Sequence, residues 1–303
     1  MSPDPQTPPP PRARSLQELL DQDTHPVPAV LRADAQADLG TGGVARDRYL
    51  DPAFHRLELD RVWSRVWQVA CREEQIAETG QVVVYEVGDL SLLVLRADDG
   101  TIRAFHNSCL HRGTQLRTSD GMVTRLRCPF HGFTWDLDGA LCELPCAWDF
   151  PQVDPEAARL PEAQVGTWGG FVFVNPDLDA APLADYLGAL PEHFARFPLE
   201  DRYTAAHVAK VLDCNWKVGI EAFIEAFHTF VVHPQLVTTS GDTITQYDVF
   251  PGERHWSRMI TPVGIPSTHV DRDVTDAEIL RSMLLTRDDT DLTVPADTNV
   301  RGV

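Results

Sequence analysis

Short apolar runs of strand length dominate the chain between residues 81 and 175. The runs VVVYEV, LLVLR, TIRAF, FTWDL and GFVFVN are rich in β-branched and aromatic residues, which favour strands. Asp99-Gly100 and Asp138-Gly139 lie between runs, where hairpins need turn residues. This pattern predicts a small antiparallel sheet unit.

Helical spacing of apolar residues occurs on both sides of this region. Leu16, Leu19 and Leu20 predict a short helix within residues 15–43, and residues 52–67 fit a second helix. Beyond residue 176 the composition favours helices again, followed by one strand over residues 244–250 and an acidic end. Residues 1–14 are too rich in proline for a helix or strand interior and are expected to be a disordered tail. The chain is therefore expected to be α+β.

Composition narrows the classes of function. A net charge of −19 disfavours nucleic acid and anionic membrane surfaces as partners. No apolar stretch approaches the roughly 20 residues that span a bilayer, and the first thirty residues lack a secretory pattern. A cytoplasmic location is therefore expected. In that reducing compartment, six cysteines are better explained as metal ligands or buried thiols than as a disulfide framework.

Two short segments each pair one cysteine with one histidine. They are Cys109-x-His111 and, after sixteen residues, Cys128-x-x-His131. A single zinc ion could bind all four side chains, although zinc fingers commonly group cysteine with cysteine and histidine with histidine. The mixed pairs favour a [2Fe–2S] cluster in which each segment gives a thiolate to one iron and an imidazole to the other.

The two segments carry a family resemblance. Cys-x-His-Arg-Gly followed by Cys-Pro-Phe-His-Gly-Phe-x-Trp resembles the Rieske cluster motif of ring-hydroxylating oxygenase α subunits, over about residues 66–176. The resemblance implies an antiparallel β domain whose [2Fe–2S] cluster is held by four side chains: Cys109, His111, Cys128 and His131. Cys142 and Cys146 match nothing in the motif and are expected to be buried thiols.

A second group of polar residues lies in the segment NWKVGIEAFIEAFHTFVVHP. Glu221, Glu225 and His228 have spacing i, i+4, i+7, which predicts one stripe of a helix opposite an apolar stripe. His228 and His233 stand in an apolar run, where an imidazole needs a hydrogen bond or a metal. A helix break before Pro234 would bring them together, and two histidines with one carboxylate are typical of non-haem Fe(II) sites.

This segment resembles the mononuclear-iron motif of the same oxygenase family. By position, His228 and His233 match two iron ligands. Glu225 matches the acid that links the Rieske histidine of one subunit to the iron of its neighbour. Glu221 is a candidate partner for a ligand imidazole. The family's third ligand is a late aspartate, and no acidic residue after residue 233 matches its pattern. The third ligand is therefore not identified.

The resemblance implies a terminal oxygenase component, and we divide the chain into three parts. We expect a proline-rich tail and N-terminal helix over residues 1–45, a Rieske domain with its preceding helix over 46–180, and an incomplete catalytic domain of helix-and-sheet, helix-grip type over 181–303. Electrons from NAD(P)H would arrive through a separate ferredoxin or flavin reductase. The assembly would be a homotrimer or α3β3, and the iron would activate O2 to hydroxylate an aromatic or other hydrophobic substrate.

Two further possibilities follow from the same residues. Without a third ligand, the chain can be an electron-transfer module that lacks oxygenase activity, and the fold also serves oxidative demethylation and quaternary-amine cleavage.

Residues 101–135 contain five arginines and one acid, a net charge of +4. This basic window either neutralises nearby negative charge or docks an acidic electron donor.

Overall fold

A seven-stranded antiparallel sheet organises the middle of the chain. The computed structural model describes residues 14–35 and 37–284, so the predicted tail lies almost wholly outside the described residues. Contacts divide the chain into two units. We call residues 44–210 the central unit, and residues 1–43 with 211–303 the terminal unit.

The central unit contains ten strands and four helices. Its strands are β1 Gln68–Arg72, β2 Gln81–Val87, β3 Leu90–Arg96, β4 Ile102–His106, β5 Gly121–Met122, β6 Leu126–Arg127, β7 Thr134–Trp135, β8 Leu141–Glu143, β9 Glu162–Trp168 and β10 Phe171–Asn175. The large sheet has the order β1-β10-β9-β4-β3-β2-β5, and β6-β7-β8 form a small sheet. Every strand pair in both sheets is antiparallel. The predicted antiparallel sheet unit is confirmed.

The helices of both units are short. In chain order they are α1 Leu16–Leu20, α2 Ala29–Arg32, α3 Asp47–Leu50, α4 Pro52–Glu58, α5 Leu183–Leu187, α6 Leu190–Phe194, α7 Trp216–Glu221, α8 Thr229–Val232 and α9 Asp276–Leu284. Among the described residues, no helix is long and apolar enough to cross a membrane.

Strand β3 shows why its apolar run is continuous. Leu92 and Val94 pack into a core on one face of the large sheet, whereas Leu93 and Leu95 pack into a second core on the other face. Successive strand residues point to opposite faces, so a strand with two buried faces needs apolar residues throughout. The second core also contains Cys109 and Cys128, which places the predicted cluster turns against the sheet.

Most predicted elements of the central unit are present, with two differences. The helix predicted over residues 52–67 begins at Pro52, where Asp51 accepts the Ala53 N–H at 2.8 Å, but its regular part ends at Glu58. A wider helical turn, Leu59–Trp63, continues it. Strands β1 and β9 were not predicted, because Gln68–Arg72 and Glu162–Trp168 contain too few apolar residues to mark them as strands. The strands β5, β6 and β8 were not predicted either, because two or three residues are too few to show a strand pattern.

The terminal unit brings described residues from the N-terminal and C-terminal parts of the chain together. The predicted strand over residues 244–250 is β11 Gln246–Asp248, which pairs with β12 Arg258–Ile260 as an antiparallel hairpin. Helix α1 buries Leu16 and Leu20 against Ile244. The N-terminal arm, residues 14–35, therefore packs on the β11–β12 hairpin rather than standing apart from it.

A buried ion pair fixes this arm. Arg258 and Asp248 lie 2.6 Å apart, with side chains that are 10% and 0% exposed. Arg258 also donates to the carbonyl oxygens of Val30 and Ala33, and Asp248 accepts the Ala35 N–H at 3.2 Å. The pair thus satisfies backbone groups of the arm that the hairpin buries.

We predict that Asp248→Ala lowers the free energy of unfolding of the terminal unit by about 3 kcal/mol, because it leaves the Arg258 charge buried and unpaired. Urea unfolding followed by circular dichroism measures this. Asp21→Ala is the matched control, since Asp21 pairs with Arg32 at 2.7 Å in the same arm but is 70% exposed. Equal effects of the two substitutions would contradict the role assigned to the buried pair.

Candidate functional site

The four predicted cluster ligands lie in two turns with the same backbone hydrogen bonds. The turns comprise residues 109–114 and 128–133. In each, the cysteine N–H donates to the carbonyl oxygen five residues later, at 2.9 and 2.8 Å. A glycine four residues after each cysteine donates back to the cysteine carbonyl, at 2.9 and 3.1 Å. The structure therefore presents two equivalent turns, each with one thiol and one imidazole.

Glycine is required in both turns. Gly113 has φ +75° and Gly132 has φ +78°, in the left-handed region that residues with a Cβ rarely adopt. This conformation lets each turn close on itself after its histidine. The glycines that follow the histidines in the sequence motif thus have a backbone reason to be there.

The two thiols meet in the core of the central unit. Cys109 and Cys128 are each 3% exposed, and their side chains are in hydrogen-bonding contact. Burial is the main cause that raises the pKa of Cys109, and the Cys128 thiol raises it further. The N–H groups of His111 and Arg112 point at the Cys109 sulfur and oppose this shift. Backbone donors aimed at a sulfur suit a metal-bound thiolate.

The two imidazoles form the other side of the site. The ring centroids of His111 and His131 are 4.6 Å apart, and the His111 ring stacks on Phe133 at 4.8 Å. Partial burial lowers the pKa of His111, and His131 and Arg112 lower it further, so the neutral, metal-binding form is favoured. Among the described residues, the buried Nδ1 of His111 has no hydrogen-bond partner. A metal bond would satisfy this nitrogen.

This arrangement fits a [2Fe–2S] cluster. Two adjacent thiols and two adjacent imidazoles match a cluster in which cysteines bind one iron and histidines bind the other. The thiols are paired with each other and the imidazoles with each other, which suits two protein ligands of one type per iron.

The prediction that Cys142 and Cys146 are buried thiols is wrong. Both side chains are exposed. Cys142 lies on β8, where only Leu141 is buried, and its thiol donates to the Thr134 carbonyl at 3.3 Å. Cys146 follows the strand with φ 55°, in a surface turn. Only Leu141 of β8 reaches the core, so the apolar character of a cysteine in this strand did not predict its burial.

The helix predicted through Glu221, Glu225 and His228 is also wrong. Helix α7 starts after Asn215, whose side chain accepts the Lys217 N–H at 3.0 Å, and ends at Glu221. The Glu225 carboxylate accepts the backbone N–H groups of Phe227 and His228, at 2.5 and 3.2 Å. These bonds offer the backbone an alternative to helical partners, so the chain turns before α8 begins.

The apolar stripe predicted opposite the acids is largely exposed to solvent. Phe223 and Phe227 are 80% and 81% exposed, and Ile220 and Phe230 are about half exposed. An apolar surface therefore lies next to Glu225 and His228.

The turn also brings Glu225 and His228 into direct contact. His228 Nδ1 and Glu225 Oε1 are 2.5 Å apart. Partial burial raises the pKa of Glu225, but hydrogen bonds from the His228 side chain and from backbone N–H groups outweigh it, so the pKa is lowered. The carboxylate orients the ring and occupies Nδ1, which leaves Nε2 for a metal. The role predicted for Glu221 stays a prediction.

The two histidines of this segment lie side by side. The ring centroids of His228 and His233 are 5.2 Å apart, with an interplanar angle of 72°. Helix α8 ends before His233, whose φ −123° and ψ 55° are not helical, and Pro234 follows. The two imidazoles fit two ligands of a 2-His-1-carboxylate iron site.

The third iron ligand, expected to be a carboxylate, is not found among the described residues. Glu278 accepts from Thr275 and pairs with Arg272 at 3.0 Å. Within residues 14–35 and 37–284, no group of three His, Cys, Asp or Glu side chains is arranged to hold one metal ion. The structure thus brings together Glu225, His228 and His233 and assigns no further metal ligand.

The basic window is partly neutralised. Arg103 pairs with Asp99 and Glu162, and Arg125 pairs with Asp136 at 3.1 Å. The Arg117 side chain donates to backbone carbonyls of Ser119 and Asp120. The remaining two arginines, Arg112 and Arg127, are exposed and have no ion pair within the described part of the chain.

Sequence comparison identifies two families along the chain. The Rieske [2Fe-2S] domain family matches residues 66–154, and the ring hydroxylating alpha subunit (catalytic domain) family matches residues 193–284. The two matches cover the cysteine–histidine turns and the segment with Glu225, His228 and His233, respectively. The expected combination of domains is confirmed.

Individual relatives include monooxygenases and dioxygenases. The glycine betaine monooxygenase oxygenase subunit of Chromohalobacter salexigens is 32% identical over 228 residues, which are 73% of this chain and 50% of that protein. The chlorobenzene dioxygenase subunit alpha of Cupriavidus sp. (strain PS12) is 35% identical over 192 residues, 59% of this chain and 42% of that protein. The chain spans about half the length of the curated relatives it matches.

Comparison with solved structures also finds a Rieske oxygenase. A crystal structure of a quaternary ammonium Rieske monooxygenase with a bound inhibitor superposes with a TM-score of 0.60 and 25% sequence identity. The match covers 64% of this chain and 55% of that chain.

We predict that Cys109→Ser and Cys128→Ser abolish assembly of the cluster, because each removes a thiolate that an iron needs. After reconstitution with iron and sulfide, acid-labile sulfide should fall from about two per chain to near zero. Cys142→Ser and Cys146→Ser are the controls and should keep the full sulfide content. Loss of sulfide in the controls, or its retention in both ligand variants, would contradict this ligand assignment.

Proposed function

We propose that this chain, which belongs to the Rieske oxygenase α subunits, is the terminal oxygenase component of a multicomponent system. Its cysteine–histidine turns would hold a cluster that supplies electrons, and His228 and His233 would hold a mononuclear Fe(II) that supplies O2 activation for hydroxylation of an aromatic or other hydrophobic substrate. The observation that carries the proposal is the coexistence of the paired cysteine–histidine turns with the Glu225–His228–His233 group. Neither group alone would distinguish an oxygenase from an electron carrier or a metal-binding segment.

Each residue of the proposed sites has a defined task. Cys109 and Cys128 would hold one iron of the cluster, and His111 and His131 would hold the other. A bound cluster would supply one electron at a time. His131 and His111 lie at the edge of the buried thiols, so the imidazole side is the proposed exit for electrons.

The second group positions the mononuclear iron. His228 and His233 are its proposed ligands, and Glu225 holds the Nδ1 proton of His228. The Glu225 side chain is also 33% exposed, which leaves it accessible to a neighbouring subunit. We therefore assign Glu225 as the bridge between the Rieske histidine of one subunit and the iron of the next, in a homotrimer or an α3β3 assembly.

The substrate is proposed to be hydrophobic. The exposed apolar surface beside His228, which includes Phe223 and Phe227, suits an aromatic substrate. Oxidative demethylation of a quaternary amine is the second candidate, because relatives named for glycine betaine and quaternary ammonium substrates match this chain. Release of formaldehyde would distinguish demethylation from ring hydroxylation.

A pure electron-transfer module is the competing function. It is favoured because, within residues 14–35 and 37–284, no carboxylate completes a three-ligand metal site with His228 and His233. Such a module would need the Rieske cluster but would bind no mononuclear Fe(II).

Nitric oxide distinguishes these two functions. We predict that reduced, iron-loaded protein gives a high-spin ferrous–nitrosyl electron paramagnetic resonance signal, because two imidazoles leave open positions on Fe(II). His228→Ala should lose this signal while the cluster spectrum is unchanged. His255→Ala, which changes an exposed histidine of the same unit, is the control. A parent protein with only the cluster spectrum would support the electron-transfer module.

Rieske oxygenases work with a separate reductase or ferredoxin, and we propose that the unpaired arginines of the basic window dock this donor. We predict that Arg127→Glu slows cluster reduction by an acidic ferredoxin about tenfold at low salt and flattens the salt dependence, because complementary charge raises encounter rates. Stopped-flow reduction measures both quantities. Arg61→Glu makes the same charge change outside the window and should have little effect; equal effects would remove the docking proposal.

A further inference from the structure

The segment that carries Glu225 and His228 has little regular structure of its own. Residues 222–228 lie between the end of α7 and the start of α8, outside any helix. A metal site needs its ligands held to within a fraction of an ångström, which irregular segments achieve only through contacts with rigid elements. The contacts that hold this segment therefore matter to the proposed iron site.

Strand β11 supplies such a contact through Tyr247. The Ala226 N–H donates to the Tyr247 hydroxyl oxygen at 2.9 Å. The Phe227 ring stacks on the Tyr247 ring, with centroids 6.2 Å apart and an interplanar angle of 23°. Ala226 is only 5% exposed, so its N–H needs a protein acceptor.

Strand β11, which carries Tyr247, is held in place by several contacts. Tyr247 pairs with Met259 in the β11–β12 hairpin, and its neighbour Asp248 forms the buried ion pair with Arg258. The hairpin also packs against the N-terminal arm. The backbone that carries Tyr247 is thus tied to the core of the terminal unit.

The hydrogen bond from Ala226 to Tyr247 lies between Glu225 and His228 in the sequence. Ala226 directly follows Glu225, and two residues later His228 places its Nδ1 against the Glu225 carboxylate. The same carboxylate accepts the N–H groups of Phe227 and His228. Any shift of the Ala226 backbone would move the Glu225–His228 pair as a whole.

We propose that Tyr247 is a positioning residue for the mononuclear iron site. It holds the Ala226 backbone so that Glu225 keeps its bond to His228 and the free ring nitrogen keeps its direction. This inference rests on the proposed function, because it concerns the same iron site.

The surroundings keep the tyrosine in its protonated form. Burial raises the pKa of Tyr247, and the negative charges of Glu225 and Asp242 raise it further, against the opposing bond from Ala226. The hydroxyl is therefore neutral at neutral pH and available as an acceptor.

Tyr247→Phe tests the proposal because it removes the acceptor and keeps the ring that stacks on Phe227. We expect the affinity for Fe(II) to fall about tenfold or more, as for other residues that orient metal ligands. The ferrous–nitrosyl signal should broaden, whereas the cluster spectrum should not change. Tyr85→Phe is the matched control, since Tyr85 is a half-buried tyrosine that loses one hydrogen bond, to Gln68, in the other unit.

The outcomes separate this inference from the proposed function. If His228→Ala abolishes Fe(II) binding but Tyr247→Phe binds Fe(II) with the parent affinity and signal, the positioning role is wrong and the iron site stands. If His228→Ala binds Fe(II) like the parent, the iron site itself is wrong and the role of Tyr247 falls with it. A merely structural role would lower the stability of Tyr247→Phe without changing Fe(II) affinity in the folded protein.

A measurement on the unsubstituted protein covers the case in which Tyr247→Phe does not fold. Hydrogen–deuterium exchange with mass spectrometry should show slow exchange in peptides over residues 222–228 before Fe(II) is added, because Tyr247 already holds the segment. Exchange there at the rate of an unprotected chain would overturn the proposal.

Discussion

Two turns of the chain have to deliver one thiol and one imidazole each to the same buried place, and much of the central unit serves that requirement. The turns close through matching backbone hydrogen bonds and left-handed glycines, Gly113 and Gly132. The sheets bury the two thiols, while the histidines remain at the edge. Burial of the two thiols and of the unpartnered His111 Nδ1 has a cost that metal bonds would offset, so we expect cluster binding to be coupled to folding.

The proposed iron site also depends on hydrogen bonds within a turn, but its segment has less regular structure. Here one carboxylate orients the imidazole, and the Glu225–His228 contact depends on a non-helical turn. That turn is held by a strand whose own position depends on the buried Asp248–Arg258 pair. The N-terminal arm thus contributes to the proposed site through the hairpin, although it carries no candidate ligand.

The sequence predicted well those features that depend on local pattern. Strands β2, β3, β4, β7 and β10, the hairpin turns at Gly100 and Gly139, and the four residues of the cysteine–histidine turns follow from composition and spacing. It failed where a side chain competes with the backbone: helical periodicity continues through Glu225, but that carboxylate binds the N–H groups that a helix would use. Tyr247 could not be predicted, because its contact with Ala226 joins positions 21 residues apart and leaves no local signal.

In the proposed cluster, the paired turns divide their ligands by type, with cysteines on one iron and histidines on the other. Mössbauer spectroscopy of the ⁵⁷Fe-reconstituted cluster in the His228→Ala variant tests this division, because that variant removes a ligand of the proposed mononuclear iron. Two quadrupole doublets of equal area are predicted, one for each ligand environment. A single doublet, which would mean that both irons have the same ligands, would contradict the account.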